Sequence, residues 1–271
     1  MPELPEVETT RRGIAPHVVG RRIIDLVVRE SRLRWPVPSD LQRHLRGRNI
    51  IGVNRRGKYL ILQTDGGAII LHLGMSGSLH LLSPDTPAQR HDHLDILLSG
   101  DWCLRFRDPR RFGAVFWTER DPAMHERLID LGPEPLQEGF DGHYLHDRAK
   151  NRKIAIKTFI MDSRIVAGIG NIYACESLFS AGIHPLRPAG RISRTRYEAL
   201  ASAIRDTLCR AIAAGGTTLR DFLSSDGRPG YFHQQLQVYG RAGRPCLRCQ
   251  TLIRQLRQAR RSTFYCCRCQ T

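Results

Sequence analysis

The chain has 271 residues, enough for one large domain or two modest ones with real apolar cores. Hydrophobic residues make up 41% and mean hydropathy is −0.35, ordinary values for a water-soluble globular protein. Lys and Arg number 42 against 26 Asp and Glu, a net charge of +16 with a pI near 10.2. A cation of this size gathers polyanions, so nucleic acid is the expected partner. A membrane-surface role would require a basic amphipathic helix or a lipidation motif, and the sequence has neither. No run approaches the ~20 apolar residues of a membrane span. The first residues, MPELPEVETT, are acidic and lack the apolar segment of a signal peptide, so the expected location is the cytoplasm or, in a bacterium, the nucleoid.

Residues 1–131 read as mostly β structure after one short helix. Pro5 suits a first helical turn, and Val7, Ile14 and Val18 recur at helical spacing up to Gly20. Apolar, β-branched runs bounded by turn residues follow, among them 23–28, 59–63, 68–73, 94–98 and 114–117. Many short strands of this kind predict a sandwich or flattened barrel. Leu131-Gly132-Pro133-Glu134-Pro135 is a breaker cluster and marks a domain boundary. Beyond it, 154–161, 172–181 and 194–214 carry helix-like apolar spacing, and Thr217 and Thr218 could cap another short helix. A third unit begins at Asp226. The division is therefore 1–131, 132–225 and 226–271, with a metal finger over about 237–271.

Eight cysteines in a cytosolic chain point to metal or chemistry rather than disulfides. Cys246-Leu-Arg-Cys249 and Cys266-Cys-Arg-Cys269 are two Cys-x-x-Cys knuckles separated by sixteen residues, the spacing of a four-thiolate zinc site. Cys267 offers an alternative ligand, but the two-residue gap favours Cys266 with Cys269. Four thiolates leave no open position, so one structural Zn2+ is expected. The last 31 residues hold too little core to fold unaided, and metal should stabilise them. They also hold eight arginines and no acidic residue, a basic hairpin suited to gripping DNA. A ribbon that makes only protein contacts is the alternative. Cys103, Cys175 and Cys209 stand alone and read as ordinary buried thiols.

Loss of Met1 would expose Pro2 as a secondary amine. An α-amino group titrates near 7.7–8.0, so a useful fraction is neutral at cellular pH. Such an amine can attack a sugar carbon and form an iminium, with Glu3 beside it as general acid or base. On chemistry alone a plain terminus is the better explanation of Met-Pro. The other motifs change this. MPELPEVETTRRG, Gly57-Lys58-Tyr59-Leu60, His72-Leu73-Gly74-Met75-Ser76-Gly77, Asp108-Pro109-Arg110-Arg111-Phe112-Gly113 and Gly168-Ile169-Gly170-Asn171-Ile172-Tyr173 occur in this order before the cysteine ribbon. Together they closely resemble bacterial formamidopyrimidine-DNA glycosylase over essentially the whole chain.

The resemblance implies an α+β multidomain fold: an N-terminal β-sandwich, a helix-two-turns-helix domain and a C-terminal four-cysteine zinc ribbon. It implies removal of 8-oxoguanine and ring-opened purines from duplex DNA, followed by strand cleavage at the abasic sugar. Pro2 matches the nucleophile and Glu3 the residue that handles protons at the sugar, while Glu6, on the same short segment, is expected to help position the lesion. Lys58 matches the lysine of proton transfer during β-elimination. Met75, Arg110 and Phe112 match the residues that fill the gap left by the flipped nucleotide. Extrusion costs a few kcal/mol of stacking, which a thioether and an aromatic wedge partly replace. His91, Arg152 and Asn171 match DNA contacts, and Lys157 is a further contact near the lesion. His91-Asp92-His93 lacks a third metal ligand, so it is not read as a metal site. Arg261 matches the ribbon arginine at the abasic-site phosphates. The run Arg-Ser-Thr-Phe-Tyr-Cys favours it over Arg260. Residues 217–231, with Ser224-Ser-Asp-Gly227 and Pro229-Gly230, should form a mobile loop over the flipped base.

Two other readings stay in view. An endonuclease VIII-like enzyme would share the fold and the Pro2 chemistry but prefer oxidised pyrimidines. Leu4, where that family usually has Gly, and the complete Met75, Arg110 and Phe112 set argue against it. A non-catalytic DNA-damage binder would be expected to lack Pro2, Glu3 or Lys58, and all three are present. Duplex DNA supplies the partner surface, so a monomer is expected.

Overall fold

A computed structural model describes residues 2–216 and 235–271. The expected cap at Thr217 and Thr218 and the expected loop at 217–231 lie outside the described residues. Those described divide into two compact units, 2–129 with 214–216, and 130–213 with 235–271.

The first unit opens with helix α1 (Leu4–Val18). Glu3 caps it in a reciprocal capping box: its carboxylate accepts the Glu6 N–H, while the Glu6 carboxylate accepts the Glu3 N–H at 2.9 Å. Pro5 lies in the first turn, where a missing N–H costs nothing. Eight strands follow: β1 (Ile23–Val28), β2 (Ile50–Arg56), β3 (Tyr59–Thr64), β4 (Gly67–His72), β5 (Ser78–Leu82), β6 (Asp92–Leu98), β7 (Trp102–Arg107) and β8 (Ala114–Thr118), with a short helix α2 (Leu41–Leu45) after β1. They form two antiparallel four-stranded sheets, ordered β1-β6-β7-β5 and β2-β3-β4-β8. One core joins them, with Ile23, Leu26, Leu94, Ile96, Leu104 and Phe106 from one sheet and Val53, Leu60, Leu62, Ile69 and Leu71 from the other. Val7, Ile14 and Val18 of α1 pack into it, so the helical spacing read from the sequence is the buried stripe.

The second unit contains α3 (Gly142–Ala149), α4 (Ile156–Ile160), α5 (Asn171–Ser180), α6 (Arg194–Ala213) and the hairpin β9 (Arg254–Gln258) with β10 (Arg261–Tyr265). Asp141 caps α3 by accepting the Tyr144 N–H at 2.7 Å. Helix α4 is shorter than the apolar spacing at 154–161 predicts. Ala155 is extended and bridges Pro188, and the Ile154 carbonyl accepts the Ala189 N–H at 2.8 Å, so the leading residues pair laterally. The ribbon does not rely on its own few residues for a core. Val238, Cys246, Ile253, Phe264 and Cys266 cluster with Cys175 and Phe179 of α5. Among the described residues no helix is long and apolar enough to cross a membrane.

Candidate functional site

In the first unit, Pro2 is buried immediately before α1, and Glu3 and Glu6 are 1% and 2% exposed. The capping box fixes both carboxylates beside Pro2. A Cβ on Gly216 would lie 3.1 Å from Glu6 Oε1, so the chain entering the 217–234 segment passes directly over Glu6.

Lys58 sits at the tip of the β2–β3 hairpin, a two-residue turn between Arg56 and Tyr59. Such a tight turn needs a left-handed first residue, and Gly57 supplies it with φ +56°. The turn is tied back to α1. Arg55 donates to the Gly57 carbonyl at 3.0 Å and to Glu8 Oε2 at 3.2 Å. Glu8 also accepts from Arg11 and Arg12, each at 2.8 Å. Burial pushes the Glu8 carboxyl up, but these guanidinium groups outweigh it and hold the pKa at about 2. The Arg55–Glu8 brace thus connects the helix that follows Pro2 to the turn that carries Lys58. Only the i,i+3 and i,i+4 spacing of Glu8 to Arg11 and Arg12 was visible in the sequence.

Met75 and Phe112 are 38% and 40% exposed, and Arg110 is exposed as well. The Arg110 guanidinium stacks on the Phe112 ring, 4.7 Å from its centroid. His91 precedes β6 with φ +76°. The loop leading to it is held by a buried network that sequence reading missed. Arg105, 2% exposed, grips Asp95 with two 2.8 Å bonds and donates to the carbonyls of Thr86 at 3.0 Å and Pro87 at 3.2 Å. Arg107 binds Asp92 at 2.6 Å and the Gln89 side chain at 2.8 Å.

In the second unit, Arg152 is exposed and lines a cavity of about 230 Å³ with Arg148, Asp162 and Arg164. Lys157 is 2% exposed. Its ammonium donates to Thr263 Oγ1 at 2.6 Å and the Ser262 carbonyl at 3.3 Å. Asn171 is the first residue of α5, after the Gly168-Ile-Gly170 turn, and donates to the same Ser262 carbonyl at 2.9 Å. Both side chains therefore brace strand β10 next to Arg261. Arg261 itself lines a cavity of about 320 Å³ with Lys157, Met161 and Gln258. Ala259 and Arg260, at φ +47° and +62°, make the hairpin tip, so Arg260 lies in the turn and Arg261 opens the strand.

Sequence reading also missed Glu176 on α5. It accepts the successive N–H groups of Gln237, Val238 and Tyr239 at 2.9, 3.0 and 2.8 Å. Burial pushes its pKa up against those three donors.

Cys246, Cys249, Cys266 and Cys269 bring their sulfurs within 4.8 Å of one another. The Cys246–Cys269 and Cys249–Cys266 pairs are 3.9 and 3.5 Å apart, and all are free thiols. A tetrahedron with ~2.3 Å metal–sulfur bonds has edges of about 3.8 Å. The cluster therefore has the donor type and spacing for a metal ion such as zinc. Cys267 lies outside it.

A β-sandwich unit and a helical unit that carries a four-thiolate ribbon define an α+β multidomain protein of the zinc-ribbon kind. The sequence matches the family model for the formamidopyrimidine-DNA glycosylase N-terminal domain over residues 1–115 and that for the formamidopyrimidine-DNA glycosylase H2TH domain over 131–223. It is 59% identical over 270 residues to a formamidopyrimidine-DNA glycosylase of Methylococcus capsulatus, spanning 100% of both chains. Its structure is similar to that of a mutant Lactococcus lactis FPG in complex with Fapy-dG-containing DNA, with a TM-score of 0.93 and 35% identity over 100% of both chains. It is also similar to the MutM (FPG) protein of Thermus thermophilus, with a TM-score of 0.90 and 37% identity over 99% of this chain and 98% of that one. The chain belongs to the formamidopyrimidine-DNA glycosylase family.

Proposed function

We propose that this base-excision DNA glycosylase removes oxidised purines, 8-oxoguanine and ring-opened formamidopyrimidines, from duplex DNA and then cuts the strand at the abasic sugar. The observation that carries this is the 59% identity to a formamidopyrimidine-DNA glycosylase across the full length of both chains. The domain division at 1–131, 132–225 and 226–271 belongs to the same proposal, with chemistry in the first and DNA gripping in the other two.

After removal of Met1, the Pro2 nitrogen attacks C1′ of the damaged nucleotide and the base leaves. The opened sugar then carries an iminium on Pro2. Glu3 moves protons at the sugar, and Glu6 orients the lesion. The iminium makes the C2′ proton acidic, and Lys58, held on its tight turn, serves the proton transfers of β-elimination. Arg261 neutralises the abasic-site phosphates and assists δ-elimination. Met75, Arg110 and Phe112 fill the helix left by the flipped nucleotide, with Arg110 hydrogen-bonding the orphaned base. His91, Arg152 and Asn171 bind phosphates, and Lys157 steadies the region near the lesion. One zinc ion held by Cys246, Cys249, Cys266 and Cys269 supplies folding free energy to the ribbon when bound. The protein acts as a monomer on DNA in the bacterial cytoplasm.

The test is borohydride trapping on a duplex with 8-oxoguanine opposite cytosine, followed by mass mapping. The expected result is a covalent adduct on Pro2, which Pro2→Gly abolishes. An adduct formed only with an oxidised-pyrimidine duplex would establish the endonuclease VIII-like alternative. Tight binding of both duplexes with no adduct would establish a damage binder.

A further inference from the structure

Met75 stands on one turn of the sandwich, Arg110 and Phe112 on another. A wedge fills a gap in stacked DNA only if its parts keep a fixed spacing, and a displacement of about 1 Å is costly at such sites. In this protein one buried carboxylate bridges the two turns. Asp108 is fully buried and Ser76 is 2% exposed. Asp108 Oδ1 accepts the Ser76 hydroxyl at 2.6 Å, a short, charge-assisted bond. The Arg110 N–H is shared between Ser76 Oγ at 3.2 Å and Asp108 Oδ1 at 3.3 Å. Asp108 Oδ2 accepts the Gly113 N–H at 2.7 Å. Ser76 immediately follows Met75, and Gly113 immediately follows Phe112. The carboxylate therefore holds the backbone beside all three exposed residues.

The Asp108 backbone extends the connection. Its N–H donates to the His91 carbonyl at 3.0 Å, and its carbonyl takes the Arg111 N–H at 3.1 Å and lies 2.7 Å from His93 Nε2. The two turns also touch backbone to backbone. Gly74 has φ +68°, and a Cβ there would overlap the Phe112 carbonyl group. Neither turn can move without breaking a buried bond.

We infer that Asp108 and Ser76 form a latch that sets the spacing of Met75, Arg110 and Phe112, and so act as positioning residues for lesion extrusion. This rests on the gap-filling role proposed above for those three residues. Asp108 touches neither base nor sugar in this scheme. Its effect on the reaction passes through the turns that it joins.

Ser76→Ala is the informative variant, because it deletes the bridging hydroxyl and leaves the Gly113 bond in place. Single-turnover base release from an 8-oxoguanine duplex should slow about ten- to a hundredfold. Cleavage at a pre-formed abasic site needs no base extrusion, and its loss should be about tenfold smaller or less. A 2-aminopurine placed beside the lesion should show a slower fluorescence rise. In a Met75→Ala/Arg110→Ala/Phe112→Ala background, Ser76→Ala should add less than about threefold, since nothing remains to be positioned. Asp108→Asn places an amide donor against the Ser76 and Arg110 donors or the Gly113 donor. It should do at least as much damage, and if it fails to fold the Ser76 series decides alone.

The latch is refuted if Ser76→Ala releases base within about twofold of the wild type while the triple variant is impaired. Equal losses in both reactions with a lowered melting temperature refute it too, because the pair would then only fold the loops. A triple variant that excises at the wild-type rate overturns the gap-filling reading itself, and the latch with it.

Discussion

Glu8→Gln tests the brace between the N-terminal helix and the Lys58 turn. Glu8 is 8% exposed and meets Arg11, Arg12 and Arg55 at 2.8, 2.8 and 3.2 Å. Its pKa is about 2 in the folded protein against an ordinary 4.5. Because the folded value is the lower one, the stabilisation is full above the unfolded value and is lost as pH falls through the folded value. A depression of this size corresponds to about 3 kcal/mol at pH 7 and about 1.4 kcal/mol at pH 3. Glutamine keeps the shape and removes the charge. All three tryptophans, Trp35, Trp102 and Trp117, belong to this unit, so urea unfolding followed by tryptophan fluorescence reports on it selectively. The variant should lose about 3 kcal/mol at pH 7 and about half of that at pH 3. A penalty equal at the two pH values, or below about 0.5 kcal/mol at pH 7, would refute the electrostatic account. Loosening Arg55 should also lower the elimination step proposed for Lys58, because Arg55 holds the Gly57 carbonyl.

Lys157→Met removes the buried ammonium from Thr263 and Ser262. It should cost about 1–3 kcal/mol and speed hydrogen exchange in β9 and β10. Unchanged exchange there would show that the ammonium does not brace the ribbon. Stripping zinc with a chelator should unprotect the same two strands and weaken DNA binding, while β3 and β4 of the other unit keep their protection. Full protection of 254–265 after metal removal would show that packing against Cys175 and Phe179 suffices without metal.

Much of the site was legible because its signals are local. Two thiols per knuckle come from one turn, so Cys-x-x-Cys spacing reveals a metal-binding geometry without a fold. The start of α1, its buried stripe at Val7, Ile14 and Val18, and the breaker at 131–135 are likewise properties of short windows. The ordered motifs carried the resemblance, and with it the family that the comparisons establish. Exposure of Met75 and Phe112 was not readable in this way, since each would pass for core in isolation.

What the chain alone determined is therefore the chemistry available and the elements that bear it: a proline at position 2 beside carboxylates, a β-rich first part, helices after residue 131, and four cysteines in a basic tail. Tertiary structure decided which distant side chains meet. Glu8 finds Arg55 47 positions away, Ser76 finds Asp108 at 32, and Lys157 finds Thr263 at 106. It also shortened α4 by pairing Ile154 and Ala155 with 188–189, and gave the ribbon a core partly built from α5. The reason is physical. Helix and strand periods follow from backbone geometry within a few residues, whereas a buried ion pair or hydrogen bond forms only where folding removes both partners from water at the same place.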